Sequence, residues 1–209
     1  MLVHAISSAL GNHAGVRAGY PFRGSIEERA GGTVRAVQMK DIDPVTGGRW
    51  EGVIRTELSG RGQADWLAAG DILFVSRGTR FHAACIGTPP GLAVCGSHLF
   101  HLRVKAGRDL LPAFLAWQIN QPPFQRQLQR AAEGSSQLSV RRPVLEALSI
   151  AVPPLADQAC IVELVRLAQR ERQLHAQLVH QREREIESIA EALDAAAARP
   201  QQPPAIHHA

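Results

Sequence analysis

The sequence predicts an α+β fold, in which a compact β-containing domain is followed by one long coiled-coil-forming helix. Short β-like runs separated by turn residues fill the front of the chain, and residues 157–197 contain neither Gly nor Pro. Charge divides at the same place: residues 1–156 carry 17 basic and 11 acidic side chains, and residues 157–209 carry 6 and 8. We therefore predict a domain over 1–156, a spacer or dimerisation helix over 157–198, and a disordered tail over 199–209.

Composition limits the class of protein. Of the 209 residues 45% are hydrophobic, which is enough to build a core. The sequence has no apolar run approaching the roughly 18–20 residues of a membrane span, and no signal-peptide pattern at its start. Three cysteines do not make a disulfide framework, so we expect a cytoplasmic protein. Apart from Lys40 and Lys105 every basic residue is Arg, whose planar donors suit phosphate and guanine.

The domain is predicted to begin with a weakly patterned stretch, residues 1–30, and to continue in short strands. Gly, Pro and Asp clusters separate these strands, as in a compact antiparallel or mixed sheet. The predicted strands cover residues 33–39, 52–57, 72–76, 82–87 and 99–105.

The pattern becomes helical near Asp109, which we predict to cap a helix that ends before Pro122-Pro123. A second helix is predicted over 124–132 and a short one over 142–148. A strand over 149–152 follows, and Pro153-Pro154 ends it.

The last predicted helix, capped by Asp157, would be about 60 Å long at 1.5 Å per residue, far longer than a usual globular helix. Its apolar residues are mostly three or four positions apart, so they form one stripe. A partner helix is the simplest way to bury this stripe, and folding back onto its own domain is the alternative. The stripe contains Ile161, Leu164, Val165, Leu167, Ala168, Leu174, Leu178, Ile186, Ile189 and Leu193.

Two motifs suggest chemistry of the chain's own, and both are weak. Cys85, Cys95, His98 and His101 are residue types that zinc accepts, but Cys95 and His98 would face opposite sides of a strand. The segment 120–124, Asn-Gln-Pro-Pro-Phe, is similar to the Asn/Asp-Pro-Pro-aromatic loop of DNA amino-methyltransferases. It follows an amphipathic helix instead of a buried strand, and no Gly-rich turn for S-adenosylmethionine is visible, so we interpret it as a helix break.

Several segments in order resemble the target-recognition domain of DNA specificity (S) subunits from Type I restriction–modification systems. The similarity rests on the order and spacing of the segments and extends over residues 18–180. They are 18–23 (AGYPFR), 34–42 (VRAVQMKDI), 69–78 (AGDILFVSRG), 110–128, 134–139 (GSSQLS), 145–150 and 152–158 (VPPLADQ). Typical S subunits carry two such domains and two long helices, so this chain resembles a half-subunit.

The resemblance implies a non-catalytic subunit that recognises double-stranded DNA within a phage-defence system. Two half-subunits would pair through antiparallel long helices and read a bipartite inverted repeat. A methyltransferase (M) subunit, using S-adenosylmethionine, and a restriction (R) subunit would be the partners. This chain itself would bind no cofactor or metal.

Candidate DNA contacts are donors and acceptors placed where predicted strands end in loops. Gly78 would allow the backbone to approach DNA closely, and residues 135–137 precede a short helix. If the 33–39 strand continues to Lys40, then Gln38 and Lys40 share one face and Arg35 lies on the other. The complete set is Arg35, Gln38, Lys40, Arg77, Gly78, Arg80, Ser135, Ser136, Gln137, Arg141 and Arg142.

Three other functions stay open on the sequence. A stand-alone dimeric DNA-binding regulator would use the same surface without an enzyme partner. An enzyme would need the zinc ligands, and a coiled-coil adaptor would use the helix and no DNA.

Overall fold

The computed structural model describes residues 5–22, 24–58, 63–134 and 137–197. The chain divides into two compact units, Met1–Glu163 and Leu164–Ala209. The predicted tail, 199–209, lies outside the described residues. Across the described part of the chain, no helix combines the length and hydropathy that a bilayer crossing requires.

The first unit combines short strands with short helices, as the sequence predicts. The strands are β1 (Ile6–Ala9), β2 (Ala14–Ala18), β3 (Val34–Val37), β4 (Ile42–Asp43), β5 (Gly47–Gly48), β6 (Arg55–Thr56), β7 (Ile72–Val75), β8 (Arg77–Gly78), β9 (Ala83–Cys85), β10 (Ala93–Cys95), β11 (Leu99–Val104), β12 (Leu138–Ser139) and β13 (Ser149–Val152). Its short helices are α1 (Leu10–His13), α2 (Pro112–Ile119), α3 (Pro122–Ala131) and α4 (Arg142–Ala147), with a 3₁₀ turn at Met39–Asp41. The long helix α5 (Leu155–Ala197) begins in the first unit and its later residues belong to the second.

An antiparallel sheet of order β2-β11-β7-β9 separates two hydrophobic cores. Because side chains alternate across a strand, Ile72 and Phe74 of β7 face a core shared with the helices, whereas Leu73 and Val75 face the other. Each fully buried side chain of this kind contributes about 1.5–3 kcal/mol. A continuous apolar run is therefore what this strand requires.

A second sheet, of order β10-β3-β6, makes the fold mixed. β3 runs parallel to β10, with Ala36 opposite Val94, and antiparallel to β6. β10 is absent from the sequence prediction, since three residues before Gly96 are too few to show an alternating pattern. The three remaining pairs are β1–β13, β8–β12 and β4–β5.

Several predicted bounds are wrong at the strand ends. The strand at 33–39 ends at Val37, where the Asp41 carboxylate accepts a hydrogen bond from the amide of Gln38 and starts the 3₁₀ turn. The strand at 52–57 is reduced to β6, because Gly52 has a left-handed φ of 75°. Residues 1–30, expected to be weakly patterned, contain β1, α1 and β2.

The helices match the prediction except at their first residues. α2 begins at Pro112, and Asp109 does not cap it. The Gln158 side chain instead accepts a hydrogen bond from the amide of Leu111, the residue before the helix. α5 begins at Leu155, so Asp157 lies in its first turn and is not the cap. α3, α4 and β13 lie within two residues of the predicted bounds.

The predicted apolar stripe of α5 divides between the two units. Ile161, in the first unit, packs half-buried against the helical core. In the second unit Val165 is half-buried and Ala168 is exposed. The larger side chains there are 47% to 67% exposed: Leu164, Leu167, Leu174, Leu178, Val179, Ile186, Ile189 and Leu193. Their burial by a partner helix stays a prediction.

Candidate nucleic-acid interface

The buried residue Ser76 joins two segments that the sequence predicts separately as DNA contacts, residues 77–80 and 135–142. Its amide and hydroxyl both donate to the carbonyl oxygen of His98, at 3.1 and 3.0 Å, and its own carbonyl accepts from the amide of Val140 at 3.0 Å. β8 then pairs with β12, placing Arg77 opposite Ser139 and Gly78 opposite Leu138. The loop at 77–80 is thereby fixed beside residues 137–142.

This paired segment carries two unpaired cations. The side chains of Arg77 and Arg80 are exposed and make no hydrogen bond or ion pair with any described residue. Gly78 has a φ of 132°, and a Cβ there would meet open space, so its backbone is accessible. Gln137 is exposed, whereas Ser135 and Ser136 lie outside the described residues. Free guanidinium groups and accessible backbone are what phosphate and base contacts use.

An open groove of about 730 Å³ lies beside Arg80, between the loop at 79–82 and α3. Phe81, Pro122 and Leu138 contribute apolar lining, and three long polar side chains of α3 also line the groove: Gln125, Arg126 and Gln129. Burial lowers the pKa of His82, which also lines the groove, so its imidazole is neutral at pH 7. α3 is not among the residues that the sequence predicts for this surface, although its lack of any acidic residue was an available signal.

A second groove, of about 320 Å³, contains Gln38 and Lys40 together with His98. The strand expected to carry Gln38 and Lys40 on one face ends before them, so the 3₁₀ turn is what brings them together. The His98 carbonyl accepts a hydrogen bond from Ser76, so this groove adjoins the start of the segment 76–80. The other end of that segment, Arg80, lines the first groove.

Three predicted contact residues are engaged elsewhere. Arg35 donates to the carbonyl oxygen of Pro90 at 2.8 Å and lines neither groove. Arg141 holds both carboxylate oxygens of Glu133, the farther at 2.6 Å, and Arg142 is 3.6 Å from Glu146. Exposed pairs of this kind contribute little to stability, so Arg141 and Arg142 can exchange partners readily.

The four possible zinc ligands do not form a metal site in this structure, within the part of the chain that it describes. Burial raises the pKa of Cys85 to about 11 and that of Cys95 to about 12, so both are neutral thiols. His101 is buried between two carboxylates, with Nδ1 2.6 Å from Asp65 and Nε2 2.8 Å from Asp71. Among the described residues no three His, Cys, Asp or Glu side chains converge as a metal site.

Asn120, the first residue of the methyltransferase-like segment, is hydrogen-bonded through its side chain to the backbone of strand β9. Its Oδ1 accepts from the amide of Ala83 at 2.9 Å, and its Nδ2 donates to the carbonyl of the same residue at 2.8 Å. α2 ends at Ile119, and α3 starts at Pro122, two residues after Asn120. The interpretation of this segment as a helix break is therefore confirmed.

The chain is similar to known proteins in its structure. No family model matches the chain, and no curated protein matches it. Among solved structures, the S subunit of a Type I restriction–modification system from M. genitalium matches 94% of this chain at 12% identity, with a TM-score of 0.57. The HsdS subunit from Thermoanaerobacter tengcongensis matches 80% at 18% identity, with a TM-score of 0.55. A chain from a structure of type I R-M complex assembly and conformational transition matches 90% at 18% identity, with a TM-score of 0.62.

The chain has the fold of a Type I specificity subunit. It spans less than half of each matched chain, 47%, 44% and 38% of their respective lengths. The fold predicted by the family resemblance is thus confirmed, on a chain of half-subunit size.

Three of the resembling segments now have structural explanations within the specificity-subunit fold. In 18–23, a Cβ on Gly19 would lie 2.0 Å from the carbonyl oxygen of Gly96. In 69–78, the Asp71 carboxylate is held by Arg103 through both oxygens, each at 2.7 Å. In 152–158, Gln158 is fully buried and hydrogen-bonded to the start of α2. These contacts stabilise the domain.

Proposed function

We propose that this chain is a non-catalytic DNA-recognition half-subunit of a Type I restriction–modification complex. The specificity-subunit fold over most of the chain carries the proposal. The first unit reads DNA, and the long helix pairs with a second half-subunit. A methyltransferase subunit supplies S-adenosylmethionine chemistry, and a restriction subunit is the further partner.

Charge and exposure on the first unit support DNA binding. Arg77, Arg80 and Lys40 have no acidic partner among the described residues, and residues 1–156 carry a net charge of +6. Phosphates along a duplex attract such a surface whatever the base sequence, so affinity must fall as salt rises. We expect the full chain to bind a randomised duplex in fluorescence anisotropy, more weakly at 200 mM than at 50 mM salt. An absence of binding at low salt would exclude the recognition role.

The exposed stripe of α5 supports pairing through the helix. Leu178 and Ile189 are 47% and 61% exposed, and burying a row of such side chains against a second helix releases them from water. We expect the full chain to be a dimer in sedimentation and Leu178→Glu to weaken it. Gln177→Glu, which adds the same charge one residue away, is the matched control. A monomeric wild-type chain at micromolar concentration would rule out the homodimer.

A stand-alone DNA-binding regulator would differ from the proposed subunit in having no methyltransferase partner. Affinity purification of the tagged full chain from its native host, followed by mass spectrometry, should recover a methyltransferase subunit in a stoichiometric complex. Site-specific DNA binding without any such complex would favour the regulator instead.

A further inference from the structure

The exposed surface of α3 has an unusual chemical composition. Its polar side chains are all Gln or Arg, and no acidic residue occurs in it. Phe124 and Leu128, one turn apart, are buried in the helical core and leave the opposite face to solvent. Arg and Gln are the side chains that make paired hydrogen bonds to guanine and to adenine in the major groove.

Two of the glutamines fix the position of the helix. Gln127 exchanges two hydrogen bonds with the backbone of Ser149, both at 3.0 Å. Gln125 donates to the carbonyl oxygen of Ile119 at 2.7 Å. The helix is therefore anchored to both β13 and α2, independently of its exposed face.

The exposed face is left without partners. Arg126 and Gln129 are three residues apart, so they are neighbours on the helix surface, and both line the first groove. Neither side chain bonds to any described residue, and no acidic side chain lines that groove. Arg130, four residues after Arg126, adds like charge that disfavours an isolated helix. An unneutralised cationic face held in a fixed orientation suits a polyanionic ligand with hydrogen-bonding edges.

The N-terminus of α3 offers little to a phosphate, because Pro122 and Pro123 lack amide hydrogens. Recognition must therefore use the side chains. We propose that α3 lies in the major groove of DNA, with Arg126 reading a guanine, Gln129 reading an adenine, and Arg80 contacting the adjacent backbone. The B-DNA major groove is about 12 Å wide and admits an α-helix. This inference rests on the proposed DNA-recognition function.

Binding-site selection with the full chain tests the assignment. Wild type should yield a consensus site. Gln129→Ala should lose the preference at one adenine position, on the order of 10- to 100-fold, and keep the others. Arg126→Lys retains the charge but lacks the planar fork, so it should relax one guanine position while affinity for unrelated duplex is retained. Gln173→Ala and Arg172→Lys on α5 are matched controls and should leave the consensus unchanged.

The outcomes separate this inference from the proposed function. If the Arg126 and Gln129 variants select the wild-type consensus, α3 is not the reader, and DNA recognition by the chain still stands. If the wild type selects no consensus, both fail together. Unchanged urea-unfolding midpoints for the two variants will show that any relaxed preference comes from lost contacts.

Discussion

The side chain of Gln158 is hydrogen-bonded to the peptide group that precedes α2: its Oε1 accepts from the amide of Leu111 at 2.8 Å. Its Nε2 donates to the carbonyl oxygens of Asp109 and Pro153, at 2.8 and 2.7 Å. One buried amide thus satisfies three backbone groups at the point where α5 begins. Backbone groups at helix ends need such partners when water cannot reach them.

Gln158→Ala should destabilise the first unit. The substitution removes a fully buried side chain and leaves three backbone groups around it unpaired, and we expect a loss of about 2–4 kcal/mol in the free energy of unfolding. Urea denaturation of the full chain measures it as a lower midpoint at constant slope. Gln173→Ala, at an exposed position of the same helix, should change the free energy by less than about 0.5 kcal/mol. Equal effects of the two variants would contradict the assigned role.

Asp71→Asn should cost about 2–4 kcal/mol at pH 7, because it removes the carboxylate that pairs with Arg103 and His101. Burial opposes ionisation of Asp71, but the hydrogen bonds from Arg103, the contact with His101 and the amide of Ala68 outweigh burial and lower its pKa from 3.8 to about 2. A folded-state pKa below the unfolded value gives stability that is complete above pH 3.8 and is lost as pH falls towards 2.

The difference in stability between wild type and Asp71→Asn should therefore shrink as the pH is lowered from 4 to 2. Thermal or urea unfolding across that range measures the difference. Asp109→Asn, at an exposed carboxylate, is the control and should parallel wild type. A difference that stays constant with pH would show that the charge of Asp71 contributes nothing.

Gly19→Ala should disrupt the junction between β2 and β10. An added Cβ would lie 2.0 Å from the carbonyl oxygen of Gly96 and 2.8 Å from that of Cys95, and neither backbone group can move aside cheaply. We expect a loss of more than about 3 kcal/mol or a failure to fold. Gly31→Ala, with no atom within 4 Å, should be neutral. A stable Gly19→Ala protein would show that the two strands separate easily.

Arg77→Ala tests the segment beside Ser76. If Arg77 reads a base, its loss should weaken specific binding by about 1–3 kcal/mol and relax one position of the site. If it contacts a phosphate, binding should weaken uniformly and the dependence on salt should become shallower. Anisotropy titrations of specific and unrelated duplexes at several salt concentrations distinguish the two. Arg29→Ala, at an exposed Arg 3.8 Å from Glu57, is the control.

The sequence predicts most elements because their signals are local. The apolar run of β7, the Pro122-Pro123 break and the Gly- and Pro-free stretch of α5 each act within a few residues. Pairing between distant segments has no such signal. The parallel contact of β3 with β10 and the ladder between β8 and β12 join residues about 60 apart in the chain, and only the folded structure reveals them.

The same limit applies to the candidate site. Arg77, Gly78 and Arg80 follow a strong strand signal, so sequence alone selects them as a loop. Their placement beside Gln137 depends on the bond between Ser76 and Val140. Arg35, chosen for its charge, is instead bonded to Pro90 because the two strands of its sheet bring that carbonyl near. Residue type indicates what a side chain can bind, and packing decides which side chains remain free.

The pairing of β1 with β13 places Ile6 opposite Val152. During synthesis, β1 therefore cannot pair until more than 140 further residues have left the ribosome and β13 is present. Leu10, fully buried beside that ladder, also donates its amide to the carbonyl of Leu148. A nascent chain stopped before β13 would leave β1 without its partner strand, so this part of the domain forms only after β13 has been made.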